Sequence, residues 1–434
     1  MRGSVRGILG LAVFSLWAAQ AGAQPEAVAP HASAVDELRA ELQALREEYQ
    51  ARLAALEARL AALESAGEAP AVAEAPSPTP AAPTTQAAVP AGASGAGGPA
   101  GALPVYGTAS AAMASKIFNP DVAVIGNFLG ATGDNPVSGQ PTLEMSEAEL
   151  SLQAVVDPYA RADFFLTFGP EEVGIEEGYL TFNELPGGLL AKVGKFKAGF
   201  GKVNTQHPHS LPWTDKPLAF VNLMGGEEGI SQSGIGLSRL LPNDFAYVEA
   251  SAEVSFGSSE LFDSPRRQDL TYLGRLRLYR DLSDSTNIDL GGSILYGTSP
   301  LGTGFHNRLL GVDATLRWKP LRRSIYRSFL LRSELFFSRH DLEAGPADAF
   351  GFYVSGDYQL ARRLFLGARY DFSERAEDAD QHDTGGSLVL TYWPSEFSQV
   401  RGQLRHIEYA QGETANELLL QLLFSIGAHG AHPF

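Results

Sequence analysis

The chain has 434 residues, 44% of them hydrophobic, and a formal net charge of −17 from 33 basic and 50 acidic side chains. That charge excludes a nucleic-acid partner held by phosphate contacts, and the absence of cysteine excludes disulfides, cysteine metal sites and a lipidated N-terminal cysteine. A mean hydropathy of −0.08 fits a soluble β protein or a membrane barrel, whose apolar faces are spread over short alternating segments.

The N-terminus reads as a secretory signal, residues 1–23. Arg2 and Arg6 precede an apolar run from Ile8 to Ala19, and Ala21-Gly22-Ala23 offers small residues for cleavage before Gln24. This routes the chain across the inner membrane of a Gram-negative cell. No later segment holds about 18 consecutive apolar residues, so no transmembrane helix is expected. Residues 24–64 form a periplasmic segment with a short coiled coil. Leu38, Leu42, Leu45, Tyr49, Leu53, Leu56, Leu60 and Leu63 trace a heptad seam with one four-residue stutter after Tyr49. Such a seam with no core to dock on points to self-association. Residues 65–104 are rich in Ala, Pro and Gly and form a linker, able to span about 120 Å at about 3.1 Å per residue.

Residues 105–434 carry a different pattern. Sixteen strands are predicted at 121–132, 145–157, 159–169, 174–184, 189–200, 233–242, 245–256, 269–281, 285–297, 307–319, 327–340, 348–360, 363–374, 384–394, 398–410 and 415–427. Leu310, Val312, Ala314, Leu316 and Trp318 share one face against Asp313, Thr315 and Arg317 on the other. The last strand sets Leu418, Leu420, Leu422, Phe424 and Ile426 against Glu417, Gln421 and Ser425. An unbroken apolar face opposite a polar one is what a lipid-facing barrel strand requires. Short Pro, Asn, Asp or Gly turns follow the even strands, including Asp157-Pro158, Leu185-Pro186-Gly187-Gly188 and Pro320-Leu321. Most connections after odd strands are longer. The fold class is therefore all-β, a transmembrane antiparallel barrel of about sixteen strands, with both chain ends in the periplasm. The terminal Phe434 resembles the signal read by the outer-membrane barrel-insertion machinery.

A barrel of this size encloses an aqueous lumen. Inward positions carry charges of both signs, among them Glu147, Glu149, Glu334, Arg275, Arg277, Arg317, Arg332, Arg369, Arg401 and Arg405. In a water-filled channel these stay hydrated and set ion preference; the alternative is that each is a salt-bridge partner in the wall. Lys192, Lys195, Lys197 and Lys202 cluster on the fifth strand and its exit, where they would attract anions. The longest connection, residues 201–232, follows that strand. It holds His207, His209, Trp213, Asp215, Lys216, Glu227 and Glu228 and is expected to fold inward and narrow the channel.

The run Val193-Gly194-Lys195-Phe196-Lys197-Ala198-Gly199-Phe200-Gly201 resembles a strand motif of the phosphate-selective porin O and P family. Gly351–Tyr358 and Leu366–Asp371 are similar to late strands of that family. The resemblance implies a sixteen-strand homotrimeric porin. Its phosphate label matches only the Lys195 and Lys197 segment, and Glu176, Glu177, Glu227 and Glu228 oppose a strong anion preference.

The function expected is an outer-membrane porin, without cofactor or catalysis, for passive diffusion of small hydrophilic solutes or ions, with anion preference as a finer expectation. Two alternatives stand beside it. One is a structural tether, in which the barrel anchors the periplasmic coiled coil. The other is a zinc uptake channel, because neutral imidazoles bind zinc or copper. For the latter, His207 and His209 make an incomplete set, and His429 and His432 fall at the opposite end of the barrel. No plug precedes the barrel, and no Gly-x-Ser-x-Gly elbow supports an enzyme.

Overall fold

The computed structural model describes residues 120–427, apart from 138–139 and 171–172, and before them only Gln43. The signal, coiled coil and linker, as well as His429, His432 and Phe434, lie outside the described residues.

Sixteen strands follow in order: β1 (Asp121–Asp134), β2 (Leu143–Asp157), β3 (Ala160–Phe168), β4 (Val173–Leu185), β5 (Leu189–Lys197), β6 (Ser231–Leu240), β7 (Tyr247–Phe256), β8 (Leu270–Ser283), β9 (Thr286–Thr298), β10 (His306–Trp318), β11 (Phe329–Leu342), β12 (Gly345–Ala361), β13 (Leu364–Arg375), β14 (Asp378–Ser395), β15 (Ser398–Glu408) and β16 (Thr414–Gly427). One helix, α1 (Leu218–Leu223), lies between β5 and β6. Each strand pairs with its sequence neighbours, and β1 pairs antiparallel with β16 from Ala123↔Gly427 to Asp134↔Asn416, closing the barrel. Closure satisfies the ladder of the first and last strands and leaves no edge.

Alternation sorts side chains to the two sides of this wall. Val312, Leu388, Leu404 and Ile426 stand outward and more than half of the last three is exposed, at 56%, 57% and 65%. Gln359, Ser373, Gln403 and Asp313 lie on the other side and are buried. On the outside of β11–β13, Phe337, Phe350, Phe352, Tyr370 and Phe372 form a continuous ring cluster with centroids 5.0–6.4 Å apart.

Three departures from the sequence expectation have a visible physical cause. Strand β5 stops at Lys197, because Gly199 and Gly201, the latter at φ 59°, turn the chain into the barrel. Strand β14 begins at Asp378, not 384, since its hairpin with β13 runs on past the register shift after Glu374 and is held by Arg375–Asp383 at 2.8 Å. The connection between β10 and β11 is longer than the other turns after even strands. It spans residues 319–328 and contains a 3₁₀ turn at Leu321–Arg323.

Gly311 on β10 leaves the space that the incoming chain occupies. A Cβ there would approach Cζ of Phe200 to 2.5 Å, and Phe200 is fully buried against Phe336, with ring centroids 6.1 Å apart. Gly311→Val should therefore displace Phe200 and destabilise the folded chain by about 2 kcal/mol, as expected for overpacking. Denaturant titration of the folded barrel checks this; an unchanged midpoint would show that Phe200 does not need the gap.

Candidate functional site

The loop between β5 and β6 folds inside the barrel and is fastened to the inner wall at both ends and along its course. Asn204 clamps its base: Nδ2 donates to the carbonyls of Ala198 (2.7 Å) and Ile230 (3.0 Å), while Oδ1 accepts from Ile230 N at 2.9 Å. A buried amide satisfied on both sides is a rigid closure for a long loop.

From this base the chain reaches β9–β11. The backbone N–H groups of Lys202 and Val203 donate to the Glu334 carboxylate at 3.0 and 2.9 Å, and the Tyr353 hydroxyl donates to it at 2.9 Å. Lys202 Nζ donates to Thr315 Oγ1 at 2.7 Å and lies 3.4 and 3.5 Å from Asp289 and Asp313.

The loop then meets β2 and β4. His207 Nδ1 lies 2.6 Å from Glu149 Oε2 and 3.0 Å from Glu176 Oε2, and its Nε2 lies 3.1 Å from Glu177 Oε1. His209 Nδ1 is 3.7 Å from Glu149 Oε2. Glu176 and Glu177 point to the same place because the β3–β4 register shifts between their positions. Burial disfavours the imidazolium of His207, but Glu149 and Glu176 outweigh it and raise its pKa well above the usual value. Glu149, His207 and His209 each bring a donor atom within 4.8 Å of the others, and Glu147, Glu149 and Glu176 do the same. These residues could hold a metal ion.

Further along, the loop crosses to β12–β15. The buried Trp213 sits edge-on to Tyr353, centroids 5.2 Å apart, and Arg401 Nη1 donates to its carbonyl at 3.0 Å. Asp215 lies between Arg369 and Arg405, each at 2.9 Å, and accepts from Gln403 at 2.6 Å. Burial would raise the Asp215 pKa, but the two guanidiniums dominate and lower it to about 2. Helix α1 follows, with Leu218 N donating to Asp371 and Asn222 to Asp383. Its Leu218, Ala219, Phe220 and Leu223 are buried. Beside it, burial and nearby Lys197 lower the Lys216 pKa to about 8, and its amine donates to the Glu227 carbonyl.

The expected channel residues are distributed around the wall and held by local partners. Lys192 Nζ lies over the Tyr179 ring, 3.9 Å from its centroid. Lys195 donates to the Ile175 carbonyl at 2.6 Å, and Lys197 pairs with Glu176 at 2.7 Å. The four lysines thus face different partners and do not make one basic patch. Arg275 pairs with Asp313 at 2.8 Å, Arg277 with Asp289 at 2.7 Å, and Arg332 with Asp357. Arg369 also binds Asp371 at 2.7 Å, and Arg401 donates to Gln421 at 2.7 Å. Arg317 stands on β10 opposite Leu330 and Asn287. Most of these charges thus have an ion-pair partner on the wall or in the loop. The loop supplies further partners through Lys202 and Asp215.

Sequence reasoning named Glu149, Glu334 and Asp215 singly but not their convergence on the loop. It missed Leu273, Leu295, Leu309, Phe336 and Val389, inward apolar residues packed on Phe200, Trp213 and Phe220. Their signal is an apolar pair within a strand, such as Leu309-Leu310 or Phe336-Phe337, where alternation predicts a polar residue.

No family model matches the chain. A relative from Aquifex aeolicus (strain VF5), described as an uncharacterized protein, is 27% identical over 337 residues, which are 67% of this chain and 70% of that one. Among solved structures, the anion-selective porin from Comamonas acidovorans gives a TM-score of 0.49 at 12% identity, covering 71% of this chain and 100% of that one. The outer membrane channel DcaP of Acinetobacter baumannii gives 0.49 at 12%, covering 74% and 99%. OmpT, an outer membrane protein of Vibrio cholerae, gives 0.48 at 13%, covering 71% and 97%.

Asp215→Ala leaves two buried guanidiniums short of a partner and should loosen the loop by about 3 kcal/mol, read as faster proteolysis between Lys202 and Lys216. The pH dependence follows from the lowered pKa. Because ionised Asp215 is favoured in the folded chain, its stabilisation is complete above the ordinary value near 3.8 and is lost as pH falls through about 2. Protection of the loop should persist at pH 4; its loss there would contradict the assignment.

Proposed function

We propose that this chain is an outer-membrane porin, a passive channel for small hydrophilic solutes narrowed by the loop between β5 and β6. The observation that carries this reading is the closed sixteen-strand barrel with an apolar exterior, holding one of its own loops inside. A closed barrel is the only sheet that satisfies its backbone within lipid. Sixteen strands enclose more space than side chains alone fill. A loop fastened around that space reduces the passage without sealing it as a separate plug would.

Selectivity is proposed to be weak. Paired charges present little net field to a passing ion, and the lysines at the loop's root have partners of their own. This reading does not extend to phosphate specificity. The turns after even strands and both chain ends would lie on the periplasmic side, with Phe434 addressed to the insertion machinery. A homotrimer belongs to the same proposal, and the outward ring cluster on β11–β13 would supply an apolar face for it.

Purified protein in planar bilayers should give stepwise conductance in multiples of three, with a reversal potential near zero under a KCl gradient. Removing residues 203–229 should raise the unit conductance several-fold. Absence of any conductance in the full chain and in the deletion would overturn the porin reading.

The lipid contact can be tested separately. Val312, midway along β10, is 50% exposed on the outer face. Val312→Arg should cost about 2–4 kcal/mol of folding free energy in vesicles, the range for a basic residue near the bilayer midplane. Val312→Leu should be neutral. Equal stability of the two variants would argue that this face does not meet lipid.

A further inference from the structure

The carboxylates and imidazoles where the loop meets β2 and β4 exceed what fastening a loop requires. Arg–carboxylate pairs do that work on β13 and β15, where Asp215 meets Arg369 and Arg405. Here Glu147, Glu149, Glu176 and Glu177 converge on His207 and His209, and the cations facing these four carboxylates are Lys197 and, when protonated, His207. Negative charge is in excess, and Glu147 Oε2 is buried with no hydrogen-bond partner among the described residues. Such a site is electrostatically short of a cation.

We propose that Glu149, His207 and His209, with Glu176 as fourth donor, bind a divalent transition metal of the zinc type. The donors are two imidazole nitrogens and two carboxylate oxygens, a set that favours zinc over calcium or magnesium, whose sites are built of oxygen.

The spacing fits. Tetrahedral zinc with N and O ligands separates its donors by about 3.3 Å. Around Glu149 Oε2 the imidazole nitrogens stand at 2.6 and 3.7 Å, and Glu176 Oε2 is 3.0 Å from His207 Nδ1. The surroundings are those of a supported site. Lys197 holds Glu176 by Oε1 at 2.7 Å and leaves Oε2 toward the histidines. Glu177 Oε1, 3.1 Å from His207 Nε2, can accept its proton and keep Nδ1 for the metal. Phe165 packs on the His207 ring at 4.8 Å. Metal at this point would tie the loop (His207, His209) to two wall strands (Glu149, Glu176) through one ion. The inference does not depend on what crosses the channel.

The test uses the full chain in detergent, with His31, His429 and His432 replaced by alanine to remove the imidazoles near the two chain ends, stripped by chelator and titrated calorimetrically with ZnCl₂. One zinc per chain is expected, with CaCl₂ giving no comparable heat. His209→Gln and Glu149→Gln should each weaken binding by about 100-fold or more, and Glu177→Gln by about 10–100-fold, the range for an orienting partner. No saturable zinc binding, equal binding of calcium, or binding unchanged in both ligand variants would overturn the site. Zinc-edge X-ray absorption of the loaded chain needs no ligand variant to fold: two imidazole shells with carboxylate oxygen are expected, and a shell without imidazole would refute the proposal.

Discussion

Everything in this molecule depends on the pairing of β1 with β16. Until those strands meet, two edges carry unpaired N–H and C=O groups, and inside and outside have no meaning. Once they meet across twelve residue pairs from Ala123↔Gly427 to Asp134↔Asn416, each strand has two neighbours and the alternation of side chains becomes a division of space. Apolar residues then cover a continuous exterior, and polar ones converge on an enclosed interior.

That interior imposes the second constraint. A charge placed in a confined space loses hydration and must find a partner. The wall and the loop solve this jointly. Lys202 is shared among Asp289, Asp313 and Thr315, and Glu334 receives two loop N–H groups and the Tyr353 hydroxyl. Asp215 completes Arg369 and Arg405. The apolar contacts follow the same division: Phe200, Trp213 and Phe220 cover Leu309, Phe336 and Tyr353, which would otherwise face water inside the barrel. Loop and wall are therefore one folded unit, and the proposed passage is whatever space they leave between them.

Much of the wall was legible beforehand because strand periodicity is a local property. The sixteen strands lie where alternation places them, and their ends mostly agree to within three residues. The departures with a tertiary cause lie at Gly199–Gly201, where the chain leaves the wall for the lumen, and at the β13–β14 hairpin, which continues past a bulge. The loop's inward course was anticipated from its length and its position after β5. What it touches was not. The apolar pairs Leu309-Leu310 and Phe336-Phe337 mark strands covered on both faces, yet nothing adjacent to them in sequence says that the inner cover is Phe200.

By itself the sequence determined the class of fold, the number of strands and which face of each is apolar, since these follow from two-residue periodicity and turn chemistry read a few residues at a time. It also held the ingredients of the interior, the histidine pair at 207 and 209 and the glutamates at 147, 149, 176 and 177. Only the tertiary structure decided that they meet. Glu149 and His207 are 58 positions apart, and Asp215 and Arg405 are 190 apart. Contacts at such separations depend on barrel closure, on register and on the bulge that turns Glu176 and Glu177 to one side. None of these is encoded in the spacing of the residues that meet.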